Sequence, residues 1–264
     1  MNDSGGKLIL TVLGSGTSVG VPTIGCTCKV CTSHDPRDRR LRPSVYLRYR
    51  GRGVLIDTGP DFRQQMLRYA IERIDAILYT HAHADHILGL DDVRPFNFHR
   101  PDPIPIFATE ETFETIQRAF TYVFDGRKTQ SSRPKLQIEL LDGKPFRLFG
   151  VDVVPVPLAH GDGPCTGFRF GNLAYLTDHS EIPPESKEKL AGLDVLFLDA
   201  LRWKPHPTHS TVERALRHIE ELRPKRAFLT HICHDLGHEE TESSLPANVR
   251  LAFDGLEVTV ELPD

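Results

Sequence analysis

The chain has 264 residues, 39% hydrophobic and 26% charged, with a formal net charge of −4. That length is ample for a buried core, and the acidic balance argues against a broad nucleic-acid-binding surface. No apolar run approaches the roughly 20 residues of a membrane span, and the polar start, Met1 to Gly6, lacks the basic and apolar stretches of a secretory leader, so the expected address is the cytoplasm.

Lys7 to Leu13 reads as the first strand. It runs into Gly14-Ser15-Gly16-Thr17-Ser18-Val19-Gly20-Val21-Pro22. Such a loop is either a tight turn or a cradle whose backbone N–H groups approach an anion, with Ser15, Gly16 and Thr17 as the candidate contacts. Five cysteines follow an uneven pattern: Cys26, Cys28 and Cys31 are packed together, and Cys165 and Cys233 stand alone. This is not a disulfide framework. Three thiolates within residues 26–34 are one donor short of a tetrahedral zinc site. His34 is nearest in sequence, and His234 is the alternative from elsewhere in the chain.

Arg37 to Pro43 is a basic loop, and residues 44–50 and 53–57 pattern as a hairpin across Gly51-Arg52-Gly53. Asp57 closes the second strand, where a carboxylate can accept backbone N–H groups or orient a ligand histidine. Asp61 to Ala70 reads as a helix with Phe62, Met66 and Tyr69 on one side. Ile74 to Tyr79 is a short buried strand, and Thr80-His81-Ala82-His83-Ala84-Asp85-His86 follows it directly. Alternate residues of an extended chain share a face, so His81 and His83 point one way while Asp85 and His86 fall after the bend. One segment can therefore serve two metal ions. Burying such donors without a metal would be costly. Imidazole suits zinc or iron, and carboxylate suits harder ions such as manganese.

A short helix is expected to end at Asp91 to Arg94, with a loop at 101–105, a strand at 104–107, a helix at 110–120 and a polar loop at 125–134. Strands are expected at 136–141, 145–149 and 151–157, the last leading to His160. A hairpin at 165–170 and 173–176 ends at Thr177-Asp178-His179. A helix at 184–190 and a buried strand at 194–199 precede Thr208-His209-Ser210-Thr211, where Thr208 or Ser210 would cap a helix at 212–222. The strand 226–230 ends at His231, and an alternating strand at 256–262 closes the chain.

Asp57, His81 to His86, His160, Asp178 and His231 thus all follow apolar runs, which would deliver them to one rim. In this order they resemble the five motifs of the metallo-β-lactamase superfamily. The resemblance covers most of the chain and implies an α+β (αββα) fold in a single domain, 1–264, with two mixed β-sheets face to face and helices outside. It implies that His81, His83 and His160 hold one metal, that Asp85, His86 and His231 hold a second, and that Asp178 bridges them. An aspartate at 178, where lactamases proper carry cysteine, argues against lactam hydrolysis. The opening Leu13-Gly14-Ser15-Gly16-Thr17-Ser18-x-Gly20-Val21-Pro22 and the segment His209-Ser210-Thr211 resemble the phosphodiesterase branch, which implies that His209 protonates the leaving group. The cysteine cluster, with Thr230-His231-Ile232-Cys233-His234, resembles the phosphoribosyl 1,2-cyclic phosphate phosphodiesterases of the carbon–phosphorus lyase pathway. That implies a structural zinc on Cys26, Cys28, Cys31 and His234.

The implied chemistry is attack on phosphorus by a water shared between two zinc or manganese ions. Asp85 would orient it, Asp57 would act from behind the ligands, and His209 would serve as general acid. Arg202 and Lys204 are placed to meet a terminal phosphate. The implied partner is a small phosphodiester, 5-phosphoribosyl 1,2-cyclic phosphate above others, and the resemblance also implies a homodimer. The alternatives are an endonuclease on tRNA 3′ ends, a non-catalytic metal-binding scaffold and a thioesterase. No glycine-rich basic arm for gripping tRNA is evident, a structural site needs no open position, and a thioesterase explains neither His209 nor the cysteines.

Overall fold

The computed structural model describes residues 6–98, 100, 102–127, 130–161 and 163–262. The polar start at 1–5 and parts of the expected loops, at 101 and 128–129, lie outside the described residues.

The chain opens with β1 (Lys7–Gly14), β2 (Ser44–Tyr49) and β3 (Arg52–Ile56), paired antiparallel in sequence order. The β2–β3 turn is tighter than the glycine pattern suggests: Tyr49 faces Arg52, leaving Arg50 and Gly51 as a two-residue loop. Both carry positive φ, 48° and 67°, the backbone that follows the twist of an antiparallel pair. Next come α1 (Phe62–Arg68), β4 (Ala76–Leu78), α2 (Ala84–Ile87), a 3-10 segment (Leu90–Asn97), β5 (Ile104–Ala108), α3 (Glu110–Ala119), α4 (Thr121–Phe124) and β6 (Leu136–Leu140). The second half holds β7 (Phe146–Leu148), β8 (Val151–His160), β9 (Gly163–Phe170), β10 (Leu173–Leu176), α5 (Pro184–Glu188) and β11 (Val195–Asp199). It ends with α6 (Val212–Leu222), β12 (Arg226–Thr230), α7 (His238–Glu242), β13 (Val249–Leu251) and β14 (Glu257–Glu261).

Among the described residues the strands form two seven-stranded sheets, ordered β14-β1-β2-β3-β4-β5-β6 and β13-β12-β11-β10-β9-β8-β7. Each is antiparallel at one end and parallel at the other; β3 to β6 run parallel in the first, and β10 to β13 in the second. Parallel strands covered on both faces read as unbroken apolar runs, which is why all five residues of β11 are buried.

The two sheets pack face to face over a core that includes Leu10, Leu47, Val54 and Leu78 from one and Phe168, Phe170, Tyr175 and Phe197 from the other. A second apolar layer joins the outer side of the first sheet to Phe62 and Met66 of α1 and Ile116 of α3. A third joins the second sheet to Val212, Ala215 and Ile219 of α6. This is the αββα sandwich. The cap of α6 is Thr211, whose Oγ1 accepts from the Arg214 N–H at 3.1 Å, and not Thr208 or Ser210 as expected. Thr211 is the residue with extended backbone next to the first helical turn, so its hydroxyl alone reaches back onto an unpaired N–H.

Candidate metal centre

Strands of both sheets deliver residues at or just past their ends to one edge of the sandwich. Asp57 follows β3, His81 lies just past β4, His160 ends β8, Asp178 follows β10, Asp199 ends β11 and His231 follows β12. Asp57, Asp178 and His231 have left-handed backbone, with φ of 65°, 49° and 59°. That conformation is costly away from glycine. Here it turns each side chain sharply off its strand, and all three residues are buried. Room for the turn comes from Gly59, where a Cβ would run into the carbonyl oxygen of Asp85.

His81, His83, His160 and Asp178 converge so that one ligand atom from each lies within 4.8 Å of the others, and Asp85, His86, Asp178 and His231 do the same. Asp178 belongs to both groups. Its Oδ2 is 3.2 Å from His86 Nε2 and 3.7 Å from His81 Nε2, and its Oδ1 is 3.1 Å from His231 Nε2. Asp85 Oδ2 lies 3.2 Å from His86 Nε2 and 3.8 Å from His231 Nε2.

Surrounding groups fix which nitrogen each ring presents. His86 Nδ1 donates to Asp57 Oδ2 at 2.7 Å, and Asp57 also accepts from the Thr80 N–H and hydroxyl. His160 Nδ1 donates to the Thr208 carbonyl at 2.9 Å. In both rings Nε2 is left to face the cluster, as an imidazole ligand requires. Burial pulls His81 far below its ordinary value, with His86 adding to the effect, and burial likewise pulls His160 down. Burial would depress His86 and His231 too, but the carboxylates of Asp178, Asp85 and their neighbours raise both. The carboxyls of Asp85 and Asp178 are held far down against burial by the facing imidazoles. The pocket therefore calls for positive charge between these groups.

Divalent metal ions, which the fold implies, fit these residues. Among the described residues, His81 Nε2, His231 Nε2 and Asp85 Oδ2 are buried without a hydrogen-bond partner, a state that costs free energy unless a cation satisfies it. The mixed nitrogen and oxygen donors suit transition-metal cations.

A third cluster lies nearby in the chain. The Sγ atoms of Cys26, Cys28 and Cys31 are 3.2, 3.6 and 3.4 Å from His234 Nδ1. A tetrahedral zinc with ordinary bond lengths would separate sulfur and nitrogen ligands by about 3.5 Å. His34 is exposed and outside the cluster, so the structure selects His234 as the fourth donor. Arg40 fastens this region to the segment after β12. Its fully buried guanidinium donates to the carbonyls of Cys233 at 3.0 Å and Leu236 at 2.8 Å and pairs with Asp38 at 2.9 Å.

Two expectations are corrected. Ser15, Gly16 and Thr17 do not offer backbone donors to an anion. The Ser15 N–H is taken by Asp254, the Gly16 N–H by the Leu41 carbonyl and the Thr17 N–H by the Ile232 carbonyl. Ile232 N–H in turn bonds the Ser15 carbonyl at 2.9 Å. The loop is thus a splint beside His231, and the shielded carboxylate of Asp254 ties its first residue through both backbone N–H and hydroxyl. Arg202 turns onto its own loop, donating to the carbonyls of Lys204 and Pro205.

One functional residue escaped the sequence reading. Asp199, fully buried, accepts from His209 Nδ1 at 2.8 Å and lies 3.8 Å from His231 Nδ1. The signal was present, since Asp199 is another acidic residue ending an apolar strand. Its partner lies ten residues on, so the pairing itself was invisible. The His209 ring stacks on His231 with centroids 4.7 Å apart, and it is 5.0 Å from His160. Its Nδ1 is committed to Asp199, and among the described residues Nε2 has no hydrogen-bond partner at the edge of the donor cluster.

Residues 52–232 match the model of the beta-lactamase superfamily domain. The chain is 53% identical to the crystal structure of a diphosphatase of the PhnP family, with a TM-score of 0.92 over 97% of this chain and 98% of that one. The short form of human tRNase Z has the same fold, at 21% identity and a TM-score of 0.70, covering 97% of this chain and all of that one (100%). An octanoyltransferase of Porphyromonas gingivalis is 37% identical over 254 residues, 95% of this chain but 51% of its own length. The chain spans about half of that curated relative.

Proposed function

The chain belongs to the beta-lactamase superfamily, and from that premise we propose that it is a metal-dependent phosphodiester hydrolase of the PhnP type that opens a small cyclic phosphodiester, 5-phosphoribosyl 1,2-cyclic phosphate. His81, His83, His160 and Asp178 would hold one divalent cation, and Asp85, His86, His231 and Asp178 a second, zinc or manganese; Cys26, Cys28, Cys31 and His234 would hold a structural zinc. When bound, the pair of cations supplies Lewis acidity toward phosphoryl oxygen and a water of lowered pKa.

The observation that carries the reading is the Asp199–His209 pair at the edge of the cluster. Asp199 accepts the Nδ1 proton and aims the ring, so that when the imidazole takes up a second proton it sits on Nε2. The oxygen of water forms a bond to phosphorus as water gives one proton to solvent, one ester P–O bond breaks, the departing ring oxygen takes the His209 Nε2 proton, and solvent then returns a proton to His209. Asp85 accepts from and orients the incoming water, and Asp57 keeps His86 turned so that Nε2 faces inward.

A second reading has its own support: the neighbour at 53% identity is described as a diphosphatase. The same residues would then break a phosphoanhydride, whose leaving group is a phosphate. A phosphate leaves without a proton, whereas an alkoxide needs one, so His209 separates the two. Phosphorus NMR of the cyclic ribosyl phosphate and of a nucleoside diphosphate ester, each with metal-loaded enzyme, tests both. The proposal expects metal-dependent ring opening that His209→Ala slows by about 10²–10⁴-fold. An unchanged cyclic signal beside rapid anhydride cleavage would replace the first reading with the second.

A further inference from the structure

The loop between β11 and α6 carries a histidine that the reaction described above does not use. His206 lies between Pro205 and Pro207, half-buried, with its ring centroid 5.0 Å from that of His209. We propose that His206 is a substrate-contacting specificity residue, donating a hydrogen bond from Nε2 to an oxygen on the leaving-group side of the substrate. The proposal rests on the phosphodiesterase reading.

Three observations support it. First, Nδ1 is engaged inside the loop: the Thr208 N–H approaches it at 3.4 Å and the Thr208 hydroxyl at 3.2 Å. A nitrogen that receives an N–H presents its lone pair, so the ring proton sits on Nε2. Nε2 has no hydrogen-bond partner among the described residues, and it is a donor. Second, the loop is held firmly. Prolines on both sides restrict the backbone of His206. Arg202 bonds the Lys204 and Pro205 carbonyls at 3.2 and 3.0 Å. The Thr208 carbonyl accepts from the candidate metal ligand His160 at 2.9 Å. Gly161, with φ of 56°, lets Thr208 close in, since a Cβ there would sit 2.9 Å from the Thr208 methyl. A donor held this way is ordered before substrate arrives, which lowers the cost of using it.

Third, the position is chemically specific. If His209 protonates the departing oxygen, the group carrying that oxygen lies on the His209 side of phosphorus. The His206 ring lies beside that of His209 on the same loop, with centroids 5.0 Å apart. An oxygen-rich leaving group, with hydroxyls or a terminal phosphate, offers acceptors there; a plain aryl group does not. The imidazole thus selects for sugar phosphates without taking part in bond cleavage.

The test uses the full chain loaded with manganese, and compares wild type, His206→Ala and His206→Gln on two substrates. One is 5-phosphoribosyl 1,2-cyclic phosphate; the other is bis(4-nitrophenyl) phosphate, whose leaving group has no hydroxyl or phosphate. His206→Ala is expected to lower kcat/KM on the first about tenfold, chiefly through KM, with the second changed by less than about twofold. His206→Gln, which keeps an N–H donor, is expected to recover most of the loss. Equal losses on both substrates, or none, overturn the proposal. Binding is read separately from turnover through Trp203, the only tryptophan of the chain, 40% exposed three residues before His206. Titrating ribose 5-phosphate is expected to give a saturable fluorescence change with Kd about tenfold weaker in His206→Ala. No saturation in wild type, or equal Kd values, overturns the contact. Wild type inactive on both diesters would instead remove the phosphodiesterase reading, and the titration would still decide the role of His206.

Discussion

At the scale of single residues, the site depends on which nitrogen each imidazole presents. Asp199 holds His209 through Nδ1 and Asp57 holds His86 in the same way. The two carboxylates therefore have separable effects. Asp199→Asn is expected to lower kcat by about 10- to 100-fold, with metal content unchanged by elemental analysis; an enzyme that keeps full kcat would show that His209 needs no partner. Asp57→Ala is expected to weaken metal binding by about 10–100-fold, read by competition with a chelating dye, while enzyme saturated with metal regains much of its rate. Sequence reasoning reached Asp57 because it stands alone at a strand end. It missed Asp199, although the same rule applies, because the hydrogen bond that defines its role joins two segments through space.

At the scale of elements, the splint of residues 15–17 and the cysteine loop both brace the segment that carries His231 and His234. The glycine-rich loop was legible as a tight turn, and that reading is the one its hydrogen bonds favour. Its chemistry was not legible, since a free N–H and one bonded to Asp254 or Ile232 look identical in a sequence. Helix α7 and strand β13 were also missed, because five and three residues carry too little periodicity to register. Cys28→Ser is expected to remove about one equivalent of zinc and to lower Tm, while the aspartate and histidine cluster keeps its metal. If all metal were lost together, the two regions would be one cooperative unit. Arg40→Leu is expected to destabilise the fold by about 3–5 kcal/mol, because Asp38 would be left buried without its counter-charge. A loss below about 1 kcal/mol in urea unfolding would show that the clasp adds little.

At the scale of the whole molecule, strands of both sheets end beside the donor cluster, and turns with left-handed backbone redirect Asp57, Asp178 and His231 inward. The repeated sequence of apolar run followed by polar donor made this layout legible. The pairing of β14 with β1, which closes the first sheet edge, depends on residues some 250 positions apart, Lys7 with Glu261. Acid stability has an identifiable contributor in the same sheet. Burial pushes the Asp75 carboxyl up, but Arg73, the Gly53 N–H and Arg52 outweigh it and hold the group below its ordinary value. A depressed folded value stabilises above the unfolded carboxylate range, near 3.9, and that contribution is lost as pH falls through the folded value. Asp75→Asn is therefore expected to lower stability by about 1–3 kcal/mol at neutral pH, with a smaller difference near pH 3. An equal difference at both pH values would mean the effect is not charge.

The most direct measurement of the whole proposal is the dependence of kcat/KM on leaving-group acidity, for a series of aryl methyl phosphates, in wild type and His209→Ala. Proton donation by His209 in the transition state predicts a shallow dependence in wild type and a steep one in the variant, with the two converging for the most acidic phenols. Parallel lines of equal slope, whatever their separation, would contradict it, since His209 would then do nothing for the departing oxygen.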